Sequence, residues 1–239
     1  MLSNIVVFGA SGTIGRATLN HVKETYPNAT IYGFSQRKVE DKIDGIRYGT
    51  IKYNDEESII NATKAILSTG DLDLVFVATG LLHEIDIAPE KSLRDLSFNN
   101  FNRIIEMNAA VPAMLAKHFM PKLSNSRKSI FAIMSARVGS ISDNRLGGWY
   151  AYRMSKAAIN MFIKCSSIEM KRVNKNAIVV GLHPGTVDSP LSKPFQKNVP
   201  QGKLFTPQYS VEMLFKVLDS LNTDDSGKIF AWDGEEINP

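Results

Sequence analysis

The chain begins with a strand, a glycine-rich turn and the start of a helix, in the segment Asn4-Ile5-Val6-Val7-Phe8-Gly9-Ala10-Ser11-Gly12-Thr13-Ile14-Gly15. Its first five residues form a short apolar run, which is typical of a buried parallel strand. Three glycines follow, and a helical pattern begins after them. Such a turn lets backbone N–H groups and a helix N-terminus approach a pyrophosphate. The segment therefore predicts a nucleotide-binding βα unit, with a tight packing turn as the alternative.

Six further apolar runs alternate with helical patterns along the chain, which indicates an α/β protein. We predict a single-domain Rossmann fold over residues 1–239, with a doubly wound, seven-stranded parallel sheet flanked by helices. Residues 188–209, rich in Pro, Lys and Gln, are expected to form a mobile lid over the substrate. The predicted strands after the first are Ala29–Phe34, Arg47–Tyr53, Leu72–Ala78, Ile130–Met134, Ala177–Leu182 and Lys228–Trp232.

Composition places the protein among ordinary soluble enzymes. Of its 239 residues 44% are hydrophobic and 22% charged, and the net charge is +4. No basic run is dense enough to indicate nucleic acid or a membrane surface as a partner. The single cysteine, Cys165, suits a reducing compartment, so we expect a cytoplasmic protein. The four histidines are scattered, and we expect no metal site.

The end of the second predicted strand bears on the choice of nucleotide. An acidic residue at this point would bind a ribose 2′-hydroxyl and repel a 2′-phosphate. The chain has Ser35-Gln36-Arg37 instead, and a hydroxyl and a guanidinium suit a phosphate. The sequence therefore favours NADP(H) over NAD(H), with Arg37 as an ordinary surface arginine in the alternative.

A helical stretch after residue 149 carries the clearest candidate for chemistry. Tyr152 and Lys156 stand four residues apart, so they share one helix face. A phenol has a pKa near ~10, and a neighbouring ammonium typically lowers it, so the pair suits proton transfer. The alternative is a solvated helix face. We expect the apolar stripe of this helix to face the core, with Cys165 as core filler; its members are Met154, Ala158, Met161, Cys165 and Ile168.

An asparagine in the preceding long helix, predicted over residues 99–123, is the second candidate. Asn108 falls on the buried stripe of Ile104, Val111, Leu115 and Phe119, where an amide needs partners. Pro112 follows four residues later and lacks the N–H that would bond the Asn108 carbonyl. The sequence thus frees a backbone acceptor inside the fold, unless the pair is only a kink with a satisfied core asparagine.

Five segments with suitable chemistry each follow the carboxyl end of a predicted strand. In an open doubly wound sheet these ends share one edge, where ligands bind. This convergence, more than any one motif, indicates an enzyme. The segments are Gly9–Gly15, Ser35–Arg37, Ala78–Gly80, Ser135 and Pro184–Thr186.

The chain resembles the short-chain dehydrogenase/reductase family in Gly9–Gly15, Ala78-Thr79-Gly80, Asn108, Ser135, Tyr152-x-x-x-Lys156 and Pro184-Gly-Thr-Val187. The likeness covers nearly the whole chain. Residues 135–156 resemble the subgroup named for the C-factor cell–cell signalling protein, which is related to small carbonyl reductases of the sniffer type.

The resemblance implies a role for each matching residue. Tyr152 would donate a proton to a substrate carbonyl, while Lys156 would hold the nicotinamide ribose and lower the pKa of Tyr152. Ser135 would position the carbonyl, and Asn108 would hold a water that links Lys156 to solvent. The cofactor contacts would be Gly9, Ser11, Gly12, Thr13, Ile14, Gly15, Ser35, Arg37, Tyr53, Ala78, Thr79, Gly80, Tyr152, Lys156, Pro184, Gly185, Thr186, Val187 and Ser189.

The chain also departs from the family's pattern. Phe8 stands where many members have Thr, and Thr13 replaces a glycine. Lys52-Tyr53 stands where members often carry Asp-Val beside the adenine, and there Tyr53 could stack on the ring. Ala78-Thr79-Gly80 replaces the more usual Asn-Ala-Gly.

The resemblance predicts an NADP-dependent oxidoreductase that reduces a small carbonyl compound or oxidises the matching alcohol. The alternative is a nucleotide-binding signalling or regulatory protein of the C-factor type with vestigial dehydrogenase activity. Family members usually associate through the two long helices that hold Asn108 and Tyr152, so the resemblance also implies a homodimer or homotetramer.

Overall fold

The computed structural model describes residues 2–66 and 70–239, and a parallel sheet of seven strands forms its centre. The strand order is β3-β2-β1-β4-β5-β6-β9, and every neighbouring pair is parallel. The prediction of a doubly wound Rossmann sheet is confirmed. The strands are β1 Asn4–Phe8, β2 Thr30–Ser35, β3 Ile46–Thr50, β4 Leu74–Val77, β5 Ser129–Met134, β6 Ala177–His183 and β9 Ile229–Ala231, and the short strands β7 Thr186–Val187 and β8 Leu204–Phe205 pair with each other.

Helices cover both faces of the sheet. One apolar core, which includes Ile59, Leu115 and Ile159, lies under α2, α4 and α5, and a second, which includes Leu19 and Leu214, lies under α1 and α6. Because both faces are covered, the central strands are apolar along nearly their whole length. The helices are α1 Thr13–Thr25, α2 Glu56–Ile66, α3 Phe98–Ile105, α4 Val111–Phe119, α5 Tyr150–Val173 and α6 Pro207–Ser220.

The predicted long helix around Asn108 is interrupted. A π-helical turn, Glu106–Ala110, joins α3 to α4. Pro112, two residues beyond this turn, lacks the N–H that a regular α-helix needs, which gives a physical reason for the wider turn. Wider single turns of this kind occur frequently at functional sites.

The predicted lid is partly regular structure. A 3₁₀ helix spans Lys193–Asn198, β8 pairs with β7, and α6 begins at Pro207, inside the predicted loop. Thr206 caps α6, because its side chain accepts a hydrogen bond from the Tyr209 N–H. The loop prediction is therefore wrong for its last residues, where Pro at the first helical position marked a helix start.

The apolar stripe of α5 faces outward, against our expectation. Met154, Met161 and Ile168 are 52%, 65% and 49% exposed, and Cys165 is exposed as well. The opposite face, with Ile159 and Ile163, packs into the core. Periodicity shows which residues share a face, but it does not show which face the sheet covers. None of the helices in the described ranges combines the length and the apolarity that a membrane crossing requires.

Candidate active site

The glycine turn after β1 leaves helix N–H groups unpaired at the carboxyl edge of the sheet. Gly9 has a φ of +82°, and a Cβ there would lie 2.9 Å from the Ala78 carbonyl of the neighbouring strand. Gly12 is the N-cap of α1 and has no side chain with which to cap the helix. The first-turn N–H groups of α1, from Thr13 onward, are therefore available to an anion.

Tyr53 does not lie where the adenine contact was expected. It is buried, and its hydroxyl accepts the Gly9 N–H at 2.9 Å and donates to the Phe34 carbonyl at 3.3 Å. Burial raises the pKa of Tyr53 above its ordinary value. A ring enclosed in this way cannot stack on a nucleotide, so that prediction is wrong, and Tyr53 instead supports the glycine turn from below.

The two predicted phosphate contacts at the end of β2, Ser35 and Arg37, differ in how available they are to a ligand. Ser35 is buried, and its hydroxyl donates to the Arg37 carbonyl at 2.5 Å, so the hydroxyl is already used within the turn. The Arg37 side chain is exposed. Of the predicted pair, the guanidinium is thus the group that remains free for a phosphate, and Ser35 shapes the turn that presents it.

The end of β4 brings small and polar groups to the same edge. Thr79 is buried, and its Oγ1 has no hydrogen-bond partner among the described residues. A Cβ on Gly80 would lie 3.9 Å from Asn108 Oδ1 and 4.0 Å from Lys156 Nζ. Gly80 therefore lies beside two of the predicted catalytic side chains.

Asn108 is buried in the π turn, and three hydrogen bonds hold its side chain. Its Oδ1 accepts the Leu81 N–H at 2.7 Å, and its Nδ2 donates to the Leu81 carbonyl at 2.7 Å and to Ser155 Oγ at 3.0 Å. Ser155 in turn donates to the Tyr152 carbonyl at 2.7 Å. The amide thus connects the loop after β4 to the helix turn that carries Tyr152 and Lys156.

Tyr152 and Lys156 lie side by side within α5. The Lys156 Nζ is 5.7 Å from the centre of the Tyr152 ring and donates to the carbonyl of Met134, the last residue of β5, at 2.9 Å. Burial lowers the pKa of Lys156 to about 8 and raises the pKa of Tyr152 to about 12. The expected lowering of the Tyr152 pKa is therefore wrong for this structure, because desolvation of the phenolate dominates.

Ser135 directly follows β5 and is buried. Its N–H donates to the Leu182 carbonyl at 2.8 Å, and its hydroxyl donates to Asn160 Oδ1 at 2.6 Å. Asn160 lies four residues after Lys156 on the buried face of α5. The structure thus places Ser135 beside the Lys156 anchor at Met134, with its hydroxyl proton directed toward Asn160.

The predicted segment after β6 is tied to the lid and to α6. The Pro184 carbonyl accepts Ser210 Oγ at 2.7 Å, and Thr186 and Val187 pair with β8. The Ser189 hydroxyl donates to the Val187 carbonyl at 3.2 Å. This segment therefore forms an ordered wall at the same edge of the sheet.

Three side chains that the sequence analysis did not name individually also define the site. Trp149 has a positive φ of 51°, and its ring contacts Tyr152 edge-on, with 6.2 Å between ring centres. It also contacts Phe195 of the lid at 4.9 Å. Buried Glu90 accepts the Ala151 N–H at 3.2 Å and so caps α5. Of these three, only Trp149 stands directly before the Tyr152 helix in the sequence, where its position could have indicated a place in the site.

The described residues fit a nicotinamide dinucleotide. The first turn of α1, which no side chain caps, suits a pyrophosphate. The buried Thr79 hydroxyl has no hydrogen-bond partner among the described residues, and a bound cofactor could supply one. No group of three His, Cys, Asp or Glu side chains that could hold a metal ion occurs in residues 2–66 and 70–239.

The sequence model of the short chain dehydrogenase family matches residues 3–200. The chain therefore belongs to this family and is an oxidoreductase. Among its curated relatives, C-signal of Myxococcus xanthus is 32% identical over 146 residues, which cover 61% of this chain and 82% of that protein. The 1-hydroxy-2-glutathionyl-2-methyl-3-butene dehydrogenase of Rhodococcus sp. (strain AD45) is 31% identical over 163 residues, 68% of this chain and 66% of that enzyme.

Solved structures share the whole fold. The carbonyl reductase Sniffer of D. melanogaster superposes with a TM-score of 0.85 at 18% identity, and all of both chains is covered. An NADPH-bound carbonyl reductase from chicken fatty liver also reaches 0.85, at 21% identity, over 100% of this chain and 94% of that one. Resemblance to the C-factor and sniffer groups is thus confirmed, and the family and fold together indicate a nicotinamide cofactor.

Proposed function

We propose that the protein is an NADP-dependent reductase of a small carbonyl compound, or the dehydrogenase that oxidises the matching alcohol. The observation that carries the proposal is the pair of half-buried Tyr152 and buried Lys156, in which Lys156 is anchored to the end of β5 at the edge of the sheet where the glycine turn also lies. The proposed partner is a small carbonyl or alcohol substrate, and the proposed reaction involves neither a nucleic acid nor a membrane.

Tyr152 acts in this proposal as the proton donor. Because burial holds its pKa at about 12, the phenol stays protonated at neutral pH and can give its proton to a carbonyl oxygen that becomes an alkoxide. The Lys156 ammonium, fixed at Met134, places a positive charge beside the developing anion. Lys156 then supplies the charge and Tyr152 the proton.

Ser135 and Asn108 would complete the machinery. The Ser135 hydroxyl would donate to the carbonyl and position it, and Asn108 would hold the turn of α5 and a water that links Lys156 to solvent. Lid residue Phe195 and Trp149 would form an aromatic wall for the substrate beside Tyr152.

When bound, a reduced nicotinamide supplies the hydride. The first turn of α1 would hold its pyrophosphate, Thr79 and Gly80 would lie along it, and Pro184–Val187 and Ser189 would border its carboxamide end. Arg37 supports NADP, because its exposed guanidinium can pair with a 2′-phosphate. The bound nucleotide of the chicken reductase, NADPH, agrees with this choice.

We also propose a homodimer or homotetramer. The exposed face of α5 supports it, because methionines and an isoleucine form a continuous apolar stripe where a monomer would gain nothing from them. A second copy of the same stripe is its natural complement, since two-fold interfaces are self-complementary.

C-signal supports a second candidate, a regulatory nucleotide-binding protein whose dehydrogenase activity is vestigial. The purified protein should be assayed for NADPH and NADH oxidation with a panel of aldehydes and ketones. We expect turnover with NADPH, a clear preference over NADH, and loss of that preference in Arg37→Glu. Tight NADPH binding without turnover of any carbonyl would favour the regulatory protein, and a preference for NADH would contradict the assignment of Arg37.

A further inference from the structure

A buried amide beside Ser135 has one hydrogen-bonding group that is not used. Asn160 is 7% exposed, and its Oδ1 accepts the Ser135 hydroxyl at 2.6 Å. Its Nδ2 is buried and has no partner within the described residues. A buried, unpaired N–H costs free energy, and such a group in a native fold needs an explanation.

The amide can occupy the same space in a second orientation. Rotation by half a turn exchanges Oδ1 and Nδ2 with almost no change of shape. Nδ2 would then donate to Ser135 Oγ, and the Ser135 proton would be free to point elsewhere. The first orientation uses the proton of Ser135, and the second releases it.

This difference matters only if Ser135 donates to a substrate. A hydroxyl has one proton, so Ser135 cannot donate to Asn160 and to a carbonyl oxygen at the same time. We propose that Asn160 is a positioning residue, which controls the direction of the Ser135 proton by the orientation of its amide and directs that proton to the carbonyl when Nδ2 faces Ser135. The inference rests on the proposed carbonyl reductase function.

The surroundings fit such a role. Asn160 lies one helical turn beyond Lys156, so the amide that contacts Ser135 and the Lys156 side chain lie on the same buried face of α5. Titratable groups near the pair include Lys156 and Tyr152 on α5 and His183 at the end of β6, the strand beside β5; Arg137 and Asp233 act on His183. Burial lowers the pKa of His183 to about 4, so it is neutral near pH 7.

The test is Asn160→Asp, which keeps the shape of the side chain but replaces its N–H donors with a carboxyl group. An ionised carboxylate can only accept, so it holds the Ser135 proton, and we expect kcat near pH 8 to fall by up to about 100-fold. At lower pH the protonated carboxyl can donate to Ser135, and kcat relative to wild type should rise again. KM for NADPH should stay unchanged. Titration of Lys156 or His183 would affect wild type and variant alike, so the readout is the ratio of kcat between variant and wild type at each pH.

A matched control exists on the same helix. Asn174, the C-cap of α5, is also 7% exposed and donates to the Ser124 carbonyl at 3.0 Å. Asn174→Asp introduces the same group far from Ser135, and its pH profile should match wild type whatever its stability. If Asn160→Asp folds poorly, Asn160→Ala offers a second test: it removes the acceptor that holds the proton, so it should retain more activity near pH 8.

A double variant separates this role from a direct effect on Lys156. In a Ser135→Ala background, Asn160→Asp should change kcat by less than about 2-fold, since coupled residues are not additive. An equal loss in both backgrounds, a pH profile parallel to wild type, or a larger loss in Asn160→Ala would overturn the inference. If wild type reduces no carbonyl, or Ser135→Ala is fully active, the proposed function of the site fails instead.

Discussion

The two faces of α5 differ in character, and part of the distribution is the reverse of that in an ordinary helix. Its buried face carries polar groups, namely Ser155, Lys156 and Asn160, in addition to aliphatic residues. Its exposed face carries methionines, a cysteine and an isoleucine. Helices normally bury their apolar stripe and expose their charges.

The reversal shows that both faces are shaped by something other than the stability of one chain. Burial of the Lys156 ammonium costs free energy, which its contacts with the Met134 carbonyl and the Tyr152 ring compensate in part. An exposed apolar stripe gains nothing in a monomer. The buried face therefore supports the proposed chemistry, and the exposed face supports the proposed interface between copies.

The largest effect should come from the phenol on the buried side. Tyr152→Phe removes the proton donor and should lower kcat/KM for carbonyl reduction by about 10²–10⁴-fold, the usual contribution of a positioned acid. Steady-state NADPH oxidation measures it. Tyr150→Phe is the matched control, because Tyr150 lies at the start of α5 and six residues from Lys156. Equal losses of kcat/KM in Tyr152→Phe and Tyr150→Phe would show that Tyr152 is not the specific proton donor.

Asn108→Leu should have the next largest effect. It removes three hydrogen bonds and leaves the buried N–H and C=O of Leu81 unpaired, at a cost on the order of 3 kcal/mol in the free energy of unfolding. Denaturant unfolding measures this loss. An unchanged stability would show that the amide is not the connection between the loop after β4 and α5.

A smaller effect concerns the pH dependence of stability. The pKa of Lys156 is lowered to about 8 in the fold, but in the unfolded chain it returns to ~10.4. Between these values the unfolded chain binds more protons, so the free energy of unfolding rises with pH, by about 1–3 kcal/mol. Below pH 8 this contribution is absent.

Unfolding curves from pH 7 to 10 in wild type and Lys156→Met isolate this contribution. The stability of wild type relative to the variant should increase toward high pH. Lys164→Met removes an exposed lysine of the same helix and should follow wild type. If the difference in unfolding free energy between wild type and Lys156→Met does not change with pH, burial does not lower the pKa of Lys156.

The exposed face should respond in assembly rather than in stability. Met161→Arg places a charge in the stripe and should convert the dimer or tetramer to a smaller species, with unfolding free energy changed by only about 0.5 kcal/mol. Light scattering measures the mass. Met213→Arg, on α6, should keep the wild-type mass. If Met161→Arg also keeps it, the stripe is not the interface.

The number of parallel strands in the main sheet and the position of the site followed from sequence because both depend on local patterns. The apolar runs before Gly9, Ala78 and Ser135 end at the edge where ligands bind, and the structure brings these ends together. Pro112 correctly marked an irregular turn, although the π geometry itself needs knowledge of which bonds form.

The remaining features depend on contacts between distant residues. Tyr53 supports Gly9 from 44 residues away, and Glu90 caps α5 from 61 residues away, so no local pattern could show either. The outward direction of the Met161 stripe depends on which face the sheet covers. The raised pKa of Tyr152 depends on burial, which spacing alone does not give.

The central claim is that the buried face of α5 serves hydride transfer to a carbonyl at the edge of the sheet. Its most direct test is transfer of the deuterium label from the nicotinamide ring of deuterated NADPH to a carbonyl substrate, followed by mass spectrometry of the alcohol. The account predicts a product heavier by one deuterium with wild type and with Tyr150→Phe, and almost none with Tyr152→Phe. Unlabelled alcohol, or label transfer that does not depend on Tyr152, would contradict it.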